Sequence, residues 1–372
     1  MKSIFISAGE QSGELHGSSL MHELKKISDL SFTGLGGDKM RAEGLNVIEH
    51  VKDLAATGIA EVVKKYGYFR KVLKKCSEKI KEMKPDAVVL IDYPGFNLRL
   101  AEEIRGKYKG KIIYYISPQL WAWHEKRVFK IKKVVDKMLV VFPFEVEFYK
   151  RYGIDAEYVG HPLVKRIKDF LENTFRESPA DNVKTITLLP GSRNDEIKHH
   201  LPVLIETINL LKKDFMLKLY ISRSQAVNKA LFDPFVKDLP DFEIICSDVY
   251  KYVYNSDLVM TKAGTSTMEC SLIGTPFLIF YKTYPLNYIL LKPLVKINNI
   301  GIVNIIAGNN MVKEFIQKDF NAGMLYKESN KILSDFDYRN TMQENLKQIW
   351  DFLGNNNASQ IAAERINQLA LS

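Results

Sequence analysis

The fold of this chain is decided by Thr187-Leu188-Leu189-Pro190-Gly191-Ser192-Arg193, which lies near the middle of the sequence. A short apolar strand leads here into a glycine turn and then a helix, and the stretch from Ser3 to Gly13 has the same pattern. Such a turn presents backbone N–H groups and the positive end of a helix dipole, which together favour a phosphate. Two units of this kind predict two nucleotide-binding folds, with Arg193 gripping a diphosphate through its planar guanidinium.

Length and composition agree with two domains. The chain has 372 residues, more than one hydrophobic core usually supports, and 46% of them are hydrophobic. No apolar run is long enough to cross a bilayer and the N-terminus enters a strand directly, so a cytoplasmic protein is expected. Cys76, Cys246 and Cys270 lie far apart, which predicts three buried thiols and neither a disulfide nor a zinc site. The Asp-x-Asp sequence at Asp335 to Asp337 is far from any strand end, so no metal is expected.

Positive charge is concentrated in the first half of the chain. There are 53 Lys and Arg residues against 44 Asp and Glu, a net charge of +9. One basic cluster lies between Ile59 and Lys84, and a second lies between Lys126 and Lys137. In the first cluster apolar residues recur at helical spacing, which predicts a basic amphipathic helix over 60–80. Two interpretations stay open: a core-packed helix with a solvated lysine face, or contact with an anionic membrane surface.

Strand-like and helical stretches alternate along the whole chain. The strand-like runs are short and apolar and alternate with helical stretches of ten or more residues, which is typical of a buried parallel sheet. A polar stretch between Glu172 and Asn182 suits a linker. We therefore predict an α/β fold with two Rossmann-like doubly wound domains, at 1–168 and 183–337. Two further helices in 338–372 are expected to pack back on the first domain.

Candidate functional residues in the first half begin with the N-terminal turn, which contains Gly9, Glu10, Ser12 and Gly13. This turn matches neither the dinucleotide fingerprint nor a Walker loop. The two glycines are expected to give a ligand room to approach the backbone, with Glu10 and Ser12 facing it. For Glu10 the alternative is an exposed carboxylate that the helix dipole favours.

The strand 87–91 ends at Asp92-Tyr93-Pro94-Gly95-Phe96-Asn97, and open α/β sheets bind ligands at the carboxyl ends of their strands. We predict that Asp92 is a general base that takes a proton from a sugar hydroxyl, with Asn97 in the same cleft. A capping or turn aspartate is the alternative.

Two aromatic residues follow later strands. Trp123, close to Trp121, would form a wall that suits a sugar or an acyl chain, although such a pair also occurs in ordinary cores. His161 either contacts the substrate or caps its turn.

In the second half, Gly264, Thr265 and Ser266 follow a strand and open a helix, so backbone N–H groups would lie on a phosphate. Glu269 lies one turn further, where it would hold two ribose hydroxyls, and an ordinary first-turn acid is the alternative. Together with the turn at 191–193, these residues predict a paired site for a nucleoside diphosphate. His199 and His200 are expected to be solvated.

These motifs together resemble one family, the lipid A disaccharide synthases, over nearly the whole chain. Glu14, Gly95 and Val303 depart from the residues common in that family. The resemblance is carried by Ala8-Gly9-Glu10 with Ser12-Gly13, Ile91-Asp92-Tyr93-Pro94 with Phe96-Asn97, Ser117-Pro118 with Trp121-Ala122-Trp123, Lys126-Arg127-Val128, Phe142-Pro143-Phe144-Glu145, Leu188-Leu189-Pro190-Gly191-Ser192-Arg193, Gly264-Thr265 with Glu269, and Asn304 with Ala307-Gly308.

The resemblance implies a GT-B fold, with two domains facing across a cleft, and an inverting glycosyltransferase that needs no cofactor. The implied reaction joins UDP-2,3-diacylglucosamine to 2,3-diacylglucosamine 1-phosphate, forming a β(1→6) disaccharide and UDP. Asp92 would be the base, Arg193 and Glu269 would contact UDP, and Glu10, Ser12 and Asn304 would line the cleft, with Asn304 at the UDP site. Glu10 is also a candidate catalytic residue, and whether it shares the role of the base with Asp92 is left open.

The resemblance also bears on partners. Acylated substrates reside in a membrane. The basic segment 60–80 and the loop 284–294 are therefore predicted to contact the inner face of the inner membrane, where the protein would bind peripherally. A homodimer is left open.

Two other classes of protein stay open at this stage. A related GT-B enzyme, either a UDP-N-acetylglucosamine 2-epimerase or a polyprenyl-linked glucosaminyltransferase, would share the nucleotide-binding half. A nucleic-acid-binding protein would use the basic faces. The aromatic residues lie at strand ends and not along a basic surface, so no nucleic acid partner is expected.

Overall fold

The computed structural model describes residues 2–54, 65–177, 182–236, 239, 241–284, 288, 292, 297 and 299–371. The chain divides into two compact units, and each has its own parallel sheet. The first unit consists of Met1–Lys165 with Asn355–Ser372, and the second consists of Arg166–Gly354. The α/β architecture with two doubly wound sheets, predicted from the sequence, is confirmed.

The strands of the first unit are β1 (Lys2–Ala8), β2 (Leu30–Gly36), β3 (Leu45–His50), β4 (Ala87–Ile91), β5 (Lys111–Tyr115), β6 (Lys137–Val140) and β7 (Ala156–Tyr158). They pair in parallel in the order β3-β2-β1-β4-β5-β6-β7. Every residue of β4 is buried, as expected for a parallel strand covered on both faces. The order of the strands reverses between β1 and β4, and ligands of open α/β sheets bind beyond the carboxyl ends at such a switch point.

Helices connect these strands, and the last of these helices includes the boundary between the two units at Lys165 and Arg166. They are α1 (Gln11–Ile27), α2 (Asp38–Ala42), α3 (Val51–Leu54), α4 (Tyr66–Met83), α5 (Pro94–Arg105), α6 (Val128–Val134), α7 (Pro143–Lys150) and α8 (Pro162–Glu172).

Helix α4 is the described part of the basic amphipathic segment. Its apolar face, with Val72, Cys76 and Ile80, is buried in the core of the first unit, while Lys71 and Lys81 are exposed. The interpretation of this segment as a core-packed helix is therefore correct for its apolar face. Only the exposed lysine face of α4 is available to bind a partner. Residues 60–64 and most of the loop 284–294 lie outside the described residues. Of the helices in the described ranges, none is both long and apolar enough to cross a membrane.

The second unit has six parallel strands in the order β10-β9-β8-β11-β12-β13. Here the order reverses between β8 and β11, which defines the switch point of this sheet. The strands are β8 (Val183–Leu189), β9 (Met216–Ser222), β10 (Phe242–Ile245), β11 (Leu258–Lys262), β12 (Phe277–Tyr281) and β13 (Glu314–Ile316). The helices are α9 (Asn194–Leu211), α10 (Asp233–Val236), α11 (Val249–Tyr254), α12 (Thr265–Ile273), α13 (Ile302–Ala307), α14 (Ala322–Ser334) and α15 (Phe336–Leu353).

The two tail helices belong to different units, which corrects the prediction that both return to the first domain. Helix α15 packs on α12 and α14, and Trp350 Nε1 donates to Leu272 O at 3.0 Å. Only α16 (Ala358–Ile366) packs on α1, and Ser28 Oγ donates to Asn367 Oδ1 at 2.8 Å. The apolar stripe of α15 is filled by the second unit, and helical periodicity in a sequence does not show which surface such a stripe will cover.

Candidate active site

Asp92 lies at the switch point of the first sheet, directly after β4. Asp92 and Tyr93 both have left-handed backbone conformations, with φ of 44° and 48°. Non-glycine residues in this region cost about 1–3 kcal/mol each and persist where surrounding contacts hold them. Here the carbonyl of Asp92 accepts hydrogen bonds from Tyr114 Oη at 2.5 Å and Asn97 Nδ2 at 2.8 Å. The strained turn therefore includes the residue predicted as the base.

Asn97 holds this turn from inside the protein. It is fully buried, its Nδ2 also donates to Ile91 O at 3.1 Å, and its Oδ1 accepts from Ser7 Oγ at 2.6 Å. The prediction that Asn97 lines the ligand cleft is therefore wrong. Its amide faces inward because the turn after β4 leaves backbone carbonyls that need a donor.

The carboxyl group of Asp92 is half-buried, and burial raises its pKa from the ordinary 3.8 to about 6. The negative charge of Glu10, which is exposed where α1 begins after β1, raises the pKa further, and the backbone N–H of Tyr93 lowers it. A base is most effective when its pKa is near the working pH. The pKa of Asp92 is thus closer to neutral pH than that of an ordinary aspartate.

The glycines of the N-terminal turn are used for packing. A Cβ on Gly9 would lie 2.0 Å from the ring of Tyr93, and one on Gly13 would lie 3.4 Å from Ala8 Cβ. The expected room for a ligand at these glycines is therefore filled by protein. Ser12 is exposed on the first turn of α1. Glu14, which departs from the family pattern, accepts a hydrogen bond from Lys39 N at 2.8 Å and so caps α2.

A buried carboxylate, Glu145, organises the aromatic loop after β5. Its Oε1 accepts from Ser117 Oγ at 2.5 Å and Trp121 Nε1 at 3.1 Å, and its Oε2 accepts from the backbone of Val141 and Phe142. Burial raises its pKa to about 7 against the effect of these donors. Glu145 belongs to a motif that carries the family resemblance, but its contacts could not be predicted from the sequence because they join distant residues.

Trp123 and His161 have different surroundings. Trp123 is 43% exposed, as an aromatic wall would be, and its ring centroid is 4.5 Å from that of His124. His161 is half-buried, and its Nδ1 accepts from Leu163 N at 3.2 Å, so it caps the first turn of α8. Burial, with a smaller effect of His16, lowers its pKa to about 3. Its ring is therefore neutral, with the proton on Nε2.

The second unit contains a cavity of about 940 Å³ at the switch point of its sheet. Its volume falls within the range of small-molecule sites. Six of the predicted nucleotide-binding residues line it: Gly191, Ser192, Gly264, Thr265, Ser266 and Glu269. Cys246, predicted to be buried, is exposed on the cavity wall because it follows the carboxyl end of β10.

Glu269 lies on α12 at the side of this cavity. Burial raises its pKa, while a 2.7 Å hydrogen bond from Tyr250 Oη and the positive charge of Arg166 lower it. The Arg166 guanidinium lies 5.1 Å from the centroid of the Tyr250 ring. An ionised carboxylate in this position can accept hydrogen bonds from two neighbouring hydroxyls.

The turn at Gly191 depends on its glycine, which has a φ of +135°. A Cβ there would lie 2.5 Å from Oε2 of Glu196, which accepts a hydrogen bond from Ser192 N at 2.8 Å. His200 is fully buried and not solvated as expected, since its ring nitrogens contact Pro190 O at 2.7 Å and Lys282 O at 3.0 Å. The side chains of Glu196 and His200, both on α9, therefore hold the Gly191 turn in place.

Arg193 directly precedes α9, its side chain is 65% exposed, and it is not among the residues that line the cavity. The cations on the cavity wall are Arg166, Arg223, Lys251 and Lys262. Sequence reasoning missed all four. Lys262 is the last residue of β11, so the preference of ligands for strand ends was a signal that could have identified it.

Asn304 does not lie at the nucleotide site as expected. It is fully buried on α13, with Nδ2 donating to Val312 O and Glu314 Oε1, both at 2.7 Å, and Oδ1 accepting from Val312 N at 2.9 Å. All of its polar atoms are engaged in joining α13 to β13. The interpretation of Asn304 as a cleft residue is therefore corrected.

Solved structures place the fold in the GT-B class of glycosyltransferases and UDP-sugar epimerases. The UDP-N-acetylglucosamine 2-epimerase from Neisseria meningitidis bound to UDP-GlcNAc matches with a TM-score of 0.67 and 13% identity, covering 99% of this chain and 100% of that one. The MurG of Acinetobacter baumannii matches with a TM-score of 0.62 and 14% identity, covering 99% and 100%. At these identities the likeness concerns the fold alone.

Sequence comparison makes the assignment specific. The chain belongs to the lipid-A-disaccharide synthetase family, whose pattern it matches over residues 4–365, and it is a glycosyltransferase. The lipid-A-disaccharide synthase 1 of Legionella pneumophila strain Philadelphia 1 is 36% identical, covering 95% of this chain and 94% of that protein. The lipid-A-disaccharide synthase of Koribacter versatilis is 35% identical, covering 100% and 98%. The family resemblance noted in the sequence is confirmed.

We expect Asn97→Ala to lower the free energy of unfolding by about 3 kcal/mol, because it leaves buried backbone carbonyls and Ser7 without partners. Urea unfolding measures this change. Asn173→Ala is the matched control, since Asn173 is exposed and donates to Asp169 O on the same helix; we expect less than about 0.5 kcal/mol. Equal effects of the two variants would contradict the anchoring role of Asn97.

Proposed function

We propose that this protein transfers 2,3-diacylglucosamine from its UDP donor to 2,3-diacylglucosamine 1-phosphate, with inversion at the anomeric carbon. The observation that carries the proposal is the half-buried carboxylate of Asp92, held in a strained turn at the sheet's switch point with a pKa of about 6. The family match supports a lipid-linked acceptor and a UDP-sugar donor. The exact acyl sugars are part of the proposal.

The cavity of the second unit is the proposed site of UDP. The N-terminus of α12, at Gly264 to Ser266, would bind the diphosphate with its backbone N–H groups and dipole. Glu269 would accept hydrogen bonds from the ribose hydroxyls. Arg193, exposed at the edge of the Gly191 turn, would bind the phosphates once they are present.

Asp92 is the proposed general base, with Glu10 beside it. As the 6-hydroxyl of the acceptor attacks the anomeric carbon, its proton passes to the Asp92 carboxylate and the bond between sugar and UDP breaks. UDP departs with the bonding electrons, so positive groups at the diphosphate stabilise the transition state, typically by about 3 kcal/mol for each well-placed donor. Ser12, Trp123 and His161 are proposed to border the acceptor.

Membrane contact is proposed through the lysine face of α4. The apolar side of this helix is already used in the core, so binding to anionic lipid would be electrostatic, at about 1 kcal/mol per lysine near the surface. The protein would then act as a peripheral enzyme on the inner face of the inner membrane.

Asp92→Asn tests the central assignment. We expect turnover, measured as UDP release with both acylated substrates, to fall at least about 100-fold, because the amide cannot accept the proton. Binding of the UDP-sugar should be unchanged. Asp29→Asn, an exposed change of the same charge between α1 and β2, is the control and should keep full activity. Normal turnover by Asp92→Asn would exclude Asp92 as the base.

Glu10→Gln tests the electrostatic coupling through the pH profile of kcat/KM. Activity requires ionised Asp92, so it should fall as the pH drops through about 6. Removal of the Glu10 charge lowers the pKa of Asp92, so the acid limb should move to lower pH. It should stay above pH 3.8, because burial is the larger cause. Glu82→Gln on α4 is the control. If Glu10→Gln lost turnover as completely as Asp92→Asn, Glu10 would share the role of the base and would not act only through its charge.

Lys71→Glu/Lys81→Glu tests the membrane surface in a sedimentation assay with anionic phospholipid vesicles. We expect the wild-type protein to bind at low salt and to be released near 1 M salt, at which charge interactions are screened within about 3 Å. The double variant should bind several-fold more weakly. Lys318→Glu/Lys327→Glu in the second unit carries the same change of net charge and should bind like the wild type. Identical binding of all three proteins would rule out the lysine face of α4.

A further inference from the structure

An ion pair lies beside the turns that follow β8 and β11, and the proposed reaction assigns it no role. Lys262 ends β11, lines the cavity, and has its Nζ 3.2 Å from Oε1 of Glu196 on α9. A Cβ on Gly264 would lie 3.3 Å from this Nζ, so the ammonium lies against the backbone that starts α12. Two positive features therefore coincide, namely the ammonium and the N-terminus of a nine-residue helix.

We propose that Lys262 binds the diphosphate of the nucleotide directly and that Glu196 is the positioning residue that holds it there. This inference rests on the proposed function, because it takes the ligand of the cavity to be a UDP group. Lys262 would add to Arg193 a second cationic contact with the diphosphate, which the backbone of the glycine turns alone does not supply.

The two carboxylate oxygens of Glu196 have separate partners, so this side chain can be fixed by one and hold Lys262 with the other. Oε2 accepts the N–H of Ser192 and fixes the carboxylate to the Gly191 turn, while Oε1 faces Lys262. The side chain of Glu196 is only 12% exposed. Burial opposes its ionisation, yet Lys262 and the Ser192 N–H outweigh that effect, so its pKa lies below the ordinary 4.5. The carboxylate is therefore charged and fixed, and the ammonium is oriented by it.

The other cations on the cavity wall are engaged elsewhere. Lys251 pairs with Glu177 at 2.9 Å, and Arg166 lies over the ring of Tyr250. Arg223 donates from Nη1 to Val227 O at 3.1 Å and from Nη2 to the Cys246 sulfur at 3.2 Å. Among the four, Lys262 alone lies beside the start of α12.

The position of Lys262 has a consequence for the departure of UDP. The diphosphate gains negative charge as the bond to the sugar breaks, and a fixed ammonium needs no reorganisation to stabilise that charge. Glu196 keeps the ammonium in place but does not contact the phosphate in this proposal.

The test compares the binding of UDP and uridine by isothermal titration calorimetry. Uridine lacks the phosphates, so its affinity reports whether the cavity is intact. We expect Lys262→Met to weaken UDP about tenfold or more, the typical effect of one charged hydrogen bond, and to leave uridine unchanged. Lys262→Arg should restore most of the loss. Lys198→Met, on an exposed lysine of α9, is the charge-matched control and should leave both affinities unchanged.

Glu196→Gln tests the positioning role, because it removes the negative charge and leaves one acceptor oxygen where Ser192 and Lys262 each had their own. We expect it to weaken UDP several-fold and to lower kcat with an unchanged KM for the acceptor, again with normal uridine binding. If Lys262→Met bound UDP as the wild type does, the contact would be excluded while the proposed transfer reaction stood. If Glu196→Gln bound UDP normally, the positioning role would be excluded. If the wild type bound neither UDP nor uridine, the proposed function itself would fail.

Discussion

A parallel sheet covered on both faces can carry polar chemistry only beyond the ends of its strands, and this constraint governs both units. In the first unit the chain order reverses between β1 and β4, and Glu10 and Asp92 follow those two strands. In the second unit the order reverses between β8 and β11, and the Gly191 turn and Lys262 lie at those ends. The same topology therefore places a carboxylate pair in one unit and the proposed anion-binding surface in the other.

The environment of each acidic side chain decides its ionisation, and four of them show both directions of the pKa shift. Burial and the neighbouring charge of Glu10 raise the pKa of Asp92, whereas Lys262 keeps Glu196 ionised. Glu145 is buried among four donors and still has a raised pKa, and burial also raises the pKa of Glu269 against the effect of the Tyr250 hydrogen bond. A raised pKa suits proton abstraction and a lowered one suits a fixed charge, so the same residue type serves different tasks.

Much of this architecture could be predicted from the sequence because the signals were local. Apolar strands followed by glycine turns and helices gave the two sheets, and the strand-end rule located Asp92, Gly191 and Gly264. The failures concern buried amides and imidazoles. Asn97, Asn304 and His200 are polar in sequence, but their partners are backbone groups that come close only when the chain has folded. The surface that α15 covers is likewise a tertiary property.

The return of α16 to the first unit means that this unit is assembled from two distant parts of the chain. Residues Arg166–Gly354 are continuous and hold a complete sheet, so they can fold as soon as they leave the ribosome. The first unit also requires Asn355–Ser372, whose helix α16 covers α1 with Ala362, Ala363 and Ile366 buried. Loss of this helix would leave the apolar side of α1 open to water, so the stability of the first unit depends on a helix that is encoded after the whole of the second.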